Sequence, residues 1–240
     1  MGHSLGHCIS IEFYGLPGCG KSTVSHKVAQ LLREDGYIVE EPSYRIDHRR
    51  NFIKRTQKLV ITFWGYIFHH KEFRETFVLV KRNGYKGVDL LTQTANVIQK
   101  ICKYNGKKKS HFVIWDQGLI QAAVSLSING NISAEQNYKE LLAYVRKNKI
   151  IIPVYMPITE KLALTQMSQR LTNDSRVEKL STTEQKIDML KKFQKGMESL
   201  QSMFSVTYDQ ILVENIGDLE LNVNITFQEI KKHLEKKFYD

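Results

Sequence analysis

Apolar residues along this chain follow two rhythms. Short, mainly apolar runs fall at 9–14 (ISIEFY), 37–41 (YIVEE), 111–115 (HFVIW), 150–155 (IIIPVY) and 210–214 (QILVE). Their length and β-branched content predict five buried strands. The segments between them repeat at helical spacing instead. Val24, Val28, Leu31 and Leu32 predict a helix that stops at Glu34-Asp35-Gly36. Phe52, Leu59, Phe63, Ile67, Phe77 and Val80 predict helices broken near Asn83-Gly84, and Leu90, Leu91, Val97, Ile98 and Ile101 predict the next one. Leu119, Ala122, Ala123 and Leu126 lie on a further helix, closed by Asn129-Gly130. A long amphipathic helix carries Ile187, Leu190, Met197, Leu200 and Phe204.

Local signals sharpen these boundaries. Ser133 and Gln136 have capping-box spacing, Thr159 can cap a helix, and Thr226 with Glu229 can box the last one. Pro42 ends the second strand, because proline cannot donate to a ladder. Pro153 argues on the same ground against a fully paired central place for the fourth. Strands alternating with helices predict an α/β three-layer sandwich, with a five-stranded, mainly parallel sheet covered on both faces. One domain spanning 1–240 is expected, with a helical insert at 45–105 and no linker, repeat or low-complexity tract.

The first strand runs straight into Gly15-Leu16-Pro17-Gly18-Cys19-Gly20-Lys21-Ser22-Thr23. This is Gly-x-x-x-x-Gly-Lys-Ser, the phosphate-binding loop of P-loop NTPases, in the strand–loop–helix setting that it needs. Gly15, Gly18 and Gly20 let the backbone bring successive N–H groups to phosphate oxygens. The following helix adds the positive end of its dipole. Cys19 and Thr23 complete the stretch that would line the nucleotide. Lys21 would reach the β- and γ-phosphates of ATP, and the Ser22 hydroxyl would ligate Mg²⁺. Cys19 reads either as a reactive thiol beside phosphate or as a small filler.

Composition narrows the setting. The chain has 240 residues, with 35 Lys and Arg against 25 Asp and Glu, for a formal charge of +10. That balance suits an anionic partner without choosing among nucleotide, phosphorylated substrate and nucleic acid. The three cysteines have no paired spacing, and the first residues contain no apolar signal region. A reducing, cytoplasmic setting is therefore expected. The apolar stretch Leu59 to Phe68 is too short to span a bilayer, so no membrane partner is expected.

In order, the chain has the P-loop, Glu41-Pro42 after the second strand, Asp116-Gln117-Gly118 after the third, then a Pro-Val-Tyr strand, a helix and an arginine-bearing loop. This layout resembles the thymidylate kinase and deoxynucleoside kinase branch of P-loop kinases. The resemblance covers most of the chain, and its specific part is the P-loop. It departs from the family at Gln117, where Asp-Arg or Glu-Arg is usual. It implies a general-base role for Glu41 and a magnesium- or acceptor-ordering role for Asp116. It also implies a lid at 170–180 whose Arg170 and Arg176 contact the transferring phosphoryl. Arg45 and Arg49, close behind Glu41, could hold an anionic acceptor. Simpler readings stay open: a surface carboxylate for Glu41, a helix cap for Asp116, solvated charges for the arginines. Trp64 and Tyr66 in the insert could stack on an acceptor or belong to the core.

The expected function is an ATP- and Mg²⁺-dependent kinase acting on a nucleoside, nucleotide or other small-molecule acceptor, with a sugar as second choice. The sequence leaves a homodimer open. A competing reading is a nucleic-acid-binding P-loop ATPase or a polynucleotide-end kinase. The charge permits it, but no recognition motif supports it, and Lys107-Lys108-Lys109 reads first as a solvated loop. A guanine-nucleotide switch is disfavoured, because Asn148-Lys149-Ile150-Ile151 lacks the closing aspartate and precedes its strand.

Overall fold

A computed structural model describes residues 8–42, 70–106, 110–130, 132–145, 150–169, 175, 177–207, 209–215 and 217–239. Five strands form one sheet: β1 (Ile9–Tyr14), β2 (Val39–Glu40), β3 (Phe112–Trp115), β4 (Ile150–Tyr155) and β5 (Ile211–Leu212). Their spatial order is β2-β3-β1-β4-β5, and every pairing is parallel. β1 is central, with Ile9 opposite Phe112 on one side and Ile150 on the other. The loop that follows β1 therefore opens at the middle of the sheet's carboxyl edge, where ligands of parallel sheets bind.

The described helices are α1 (Lys21–Glu34), α2 (His70–Arg82), α3 (Gly87–Asn105), α4 (Leu119–Ser127), α5 (Ala134–Leu142), α6 (Glu160–Ser168), α7 (Thr183–Thr207) and α8 (Leu219–Tyr239). Strand side chains alternate between two cores. Ile9, Ile11 and Phe13 join Phe112, Ile114, Ile152 and Val154 against α1 and α8, through Val24, Val28, Phe227 and Ile230. Tyr14, Val113, Trp115, Ile151 and Tyr155 face the other way, onto Ile101 of α3, Ala123 of α4, Tyr138 of α5 and Phe204 of α7. Because both faces are covered, the strands read as mainly apolar runs, with Ser10 and Glu12 the polar residues of β1.

Two expectations about the elements fare differently: Pro153 is indeed not fully paired, whereas the last helix starts earlier than its expected box. Pro153 lies inside the ladder, opposite Glu12 of β1. Alternate residues of a strand bond to opposite neighbours. Met156 N–H donates to Tyr14 on the β1 side, and Tyr155 carbonyl accepts from Val213 on the β5 side. Pro153, two residues before Tyr155, thus turns its missing donor toward β5, whose pairing starts only at Val154. The last helix starts at Leu219, where Asp218 Oδ1 accepts the Leu221 N–H at 3.0 Å, and not at the Thr226–Glu229 box. Thr226 lies inside that helix and its hydroxyl donates to the Asn222 carbonyl. Ser133 and Thr159 do cap their helices, accepting from Gln136 and Leu162 N–H. The break near Asn83-Gly84 separates α2 from α3. Phe52, Leu59, Phe63, Trp64, Tyr66, Ile67 and the lysine run at 107–109 lie outside the described residues.

Candidate functional site

The loop from Gly15 to Gly20 leads from the end of β1 into α1, whose first residue is Lys21. Gly20 is the N-cap, with φ 84°, and no side chain caps this helix. Its first N–H groups therefore point into the loop, as an anion site requires. Gly18 has φ 94°, and a Cβ there would stand 2.7 Å from the Ala163 carbonyl oxygen of α6. The loop thus rests directly on α6 backbone. Gly18→Ala should cost about 1–3 kcal/mol of stability, since both φ and contact are forbidden to a side chain. Chemical denaturation checks this, and an unchanged midpoint would count against the tight seat.

Lys21 is buried. Its ammonium donates to the carbonyls of Gly15 at 3.0 Å and Leu16 at 2.8 Å, and lies 3.4 Å from Cys19 Sγ. Cys19 is fully buried in the α1-side core, which favours the filler reading over an accessible thiol. Asn215, just beyond β5, donates to the Cys19 carbonyl at 3.1 Å and is itself held by Asn222. Thr23 lies exposed in the first turn of α1, its N–H donating to the Gly20 carbonyl.

The two strand-end carboxylates lie on one side of this loop, at the ends of β3 and β2. Ser22 Oγ donates to Asp116 Oδ2 at 3.0 Å, joining positions 94 residues apart. Asp116 is buried, and its Oδ1 has no hydrogen-bond partner among the described residues. An unpartnered carboxylate oxygen beside a hydroxyl is a donor set for a hard divalent cation. Among the described residues no group of three or more His, Cys, Asp and Glu side chains could hold a metal. Two such groups fall short of a complete cation shell by themselves, since Mg²⁺ is usually bound by one or two protein oxygens together with phosphates and water.

Glu41 is buried at the end of β2 and held from α1. Its Oε1 lies 2.8 Å from His26 Nδ1, and its Oε2 accepts from Arg33 at 2.6 Å. Arg33 also donates to the Val39 carbonyl. Arg45 and Arg49, expected from the sequence to hold an anionic acceptor, lie outside the described residues. His26 and Arg33 sit seven residues apart on one face of α1, a spacing that is common on any helix and carries no signal for a carboxylate partner. Arg170 and Arg176 are likewise outside the described residues, but Val177 between them and α7 is fully buried in the larger core. The segment expected as a lid therefore has an apolar anchor at its far end.

The sequence predicts nothing for Glu12 beyond a place in β1. It is fully buried on the α3–α4 side of β1. Tyr104 donates to its Oε1, and the Ile120 N–H donates to its Oε2 at 2.9 Å. Burial pushes the Glu12 carboxyl up to about 7, against the lowering influence of the Ile120 and Leu119 N–H groups and of Lys100. Tyr104 stacks on Trp115, with ring centroids 4.3 Å apart.

Neither a family model nor a curated protein matches the chain. Solved structures do. The deoxyadenosine kinase of M. mycoides with dCMP and a flexible dCDP bound superposes with a TM-score of 0.52, at 13% identity over 93% of this chain and 99% of that one. The same enzyme with dATP bound gives 0.51 at 18% identity, again over 93% and 99%. The chain has the fold of a P-loop kinase. Shikimate kinase from Acinetobacter baumannii, with shikimate bound, is a more distant match at 0.47 and 13% identity, over 97% and 96%. This P-loop kinase fold explains why the phosphate loop, Glu41 and Asp116 share one rim. They end β1, β2 and β3, three neighbouring parallel strands. No described helix is long and apolar enough to cross a membrane.

Proposed function

We propose that this protein is a kinase that transfers the γ-phosphoryl group of ATP to a small-molecule acceptor. The observation that carries this reading is the Ser22–Asp116 hydrogen bond at the mouth of a P-loop, with Asp116 Oδ1 left unpartnered. A nucleoside or nucleotide is the first choice of acceptor, supported by the fold shared with a deoxyadenosine kinase over nearly its whole length. A sugar is the second choice.

The loop N–H groups and the N-terminus of α1 would cradle the phosphates. Lys21 would exchange the Gly15 and Leu16 carbonyls for the β- and γ-phosphate oxygens. Ser22 and Asp116 would hold Mg²⁺, which neutralises charge on those phosphates when bound. Glu41 would take the proton of the acceptor hydroxyl as its oxygen bonds to the γ-phosphorus and the bond to the β-phosphate oxygen breaks, releasing ADP. His26 and Arg33 each engage one Glu41 oxygen, which fixes the carboxylate and leaves further lone pairs free. Arg45 and Arg49 would hold an acceptor anion, and Arg170 and Arg176 would meet the transferring phosphoryl from the lid.

The direct test is a transfer screen with ATP and Mg²⁺ over nucleosides, nucleoside monophosphates and sugars. Absence of transfer to every class would remove the reading. With an acceptor in hand, Glu41→Gln should lower kcat about 10²–10⁴-fold and leave ATP affinity unchanged. Should the acceptor atom be a phosphate oxygen, no base is needed and Glu41→Gln would change little. Steady-state kinetics in both substrates separates the cases.

A further inference from the structure

The turn Asp116-Gln117-Gly118 joins β3 to α4 and carries the carboxylate that meets Ser22. Its own residues do little to hold it. Gly118 is the N-cap of α4 and supplies no capping side chain. The first turn of α4 contains no acidic residue to offset the exposed N–H groups. The missing acceptor comes instead from β1. Glu12 Oε2 accepts the Ile120 N–H at 2.9 Å, the bond that an N-cap side chain would ordinarily make. The turn also has a second outside tether, because Lys100 of α3 donates to the Gln117 carbonyl.

Two further features tie Glu12 to this turn. A Cβ on Gly118 would stand 2.3 Å from Glu12 Oε2 and 2.4 Å from its Cδ, so the backbone approaches the carboxylate as closely as a glycine permits. The other Glu12 oxygen accepts from Tyr104, which stacks on Trp115, the residue before Asp116. Glu12 is therefore fixed on one side and braces the turn on the other. The glycine at 118 has a physical cause here: any side chain would occupy the place of the carboxylate.

We propose that Glu12 is a positioning residue for the phosphoryl-transfer site, capping α4 through space and, with Lys100, holding the Asp116 turn where its carboxylate meets Ser22. Glu12 touches neither nucleotide nor acceptor; it acts through Asp116. The inference rests on the reading of Ser22 and Asp116 as the Mg²⁺-binding pair. Glu12 lies three residues before Gly15, so one short stretch of chain supplies both the phosphate loop and the brace for the neighbouring strand end.

The test uses full-length wild type, Glu12→Ala, Glu12→Gln and Lys100→Met. Two quantities are read: amide exchange of Ile120, and the Mg²⁺ concentration for half-maximal transfer. Glu12→Ala should speed Ile120 exchange and raise the Mg²⁺ requirement about tenfold or more, with the ATP KM at saturating Mg²⁺ unchanged. Glu12→Gln keeps an acceptor oxygen and should restore most of both. Lys100→Met, at an exposed tether, should raise the Mg²⁺ requirement without disturbing the core, and it decides the matter if Glu12→Ala does not fold. Wild-type Ile120 protection together with a wild-type Mg²⁺ requirement in Glu12→Ala would overturn the proposal. So would an unchanged Mg²⁺ requirement in Lys100→Met, should that variant be the one that decides. Loss of protection in Glu12→Ala, in a protein whose wild type transfers phosphate to nothing, would uphold the cap and overturn the kinase reading instead.

Discussion

Lys21→Ala is expected to abolish phosphoryl transfer while the protein stays folded. The ammonium is the one P-loop cation, and it lies buried at the loop mouth with hydrogen bonds to two loop carbonyls. In the transition state it would face charge developing on the transferring group, in a place where water screens little. Losing such a preorganised group commonly costs about 3–4 kcal/mol, or roughly 10²–10³ in kcat. The fold should survive, because the strand, the helix and both cores that frame the loop do not depend on the lysine side chain. Turnover with ATP and the urea midpoint are measured on the same preparation. Near-wild-type transfer by a folded Lys21→Ala protein would remove the P-loop from the mechanism. A variant that fails to fold would show instead that the lysine's bonds to the Gly15 and Leu16 carbonyls are structural.

Much of this site could be read from the sequence, for a physical reason. A P-loop is local, so strand, glycines, lysine and helix are contiguous and each supports the others. Asp116 stood out as an acidic residue ending an apolar run, and the structure brings it to Ser22. The unread parts are those that depend on which face of an element meets which neighbour. His26 and Arg33 are ordinary helix positions until β2 ends beside them. Glu12 interrupts an apolar run with period two, as a solvent-facing strand residue would. Only a sheet covered on both sides turns that position into a buried carboxylate. The helix box at Thr226 and Glu229 fits a pattern that chance also produces. Asp218, with its side chain on the Leu221 N–H, does the capping one helical stretch earlier. Pro153, by contrast, is legible from its missing donor: a short β5 leaves that side of the residue unpaired.

The pH dependence of stability should carry the signature of Glu12. Its carboxyl is pushed from the ordinary 4.5 to about 7, chiefly by burial. An acid whose folded value lies above its unfolded value binds its proton more tightly in the native state. Below the unfolded value both states hold the proton, and the native state has its full stability. As pH rises from 4.5 to 7 the unfolded chain gives up the proton while the native protein retains it, so stability falls with rising pH. Above 7 the loss is complete. At about 1.4 kcal/mol per unit, the window amounts to about 3 kcal/mol. Glu12→Gln keeps an acceptor for the Ile120 N–H but cannot ionise, so its stability should lack this slope. Urea unfolding of both proteins across pH 5–8 gives the difference, in which the titrations of groups common to both cancel. The wild type should lose ground to Glu12→Gln steadily toward pH 7 and hold a constant gap beyond it. A difference that stays flat across the range would mean that Glu12 ionises in the native protein as readily as in the unfolded chain. The Ile120 N–H and the Lys100 charge would then offset its burial in full.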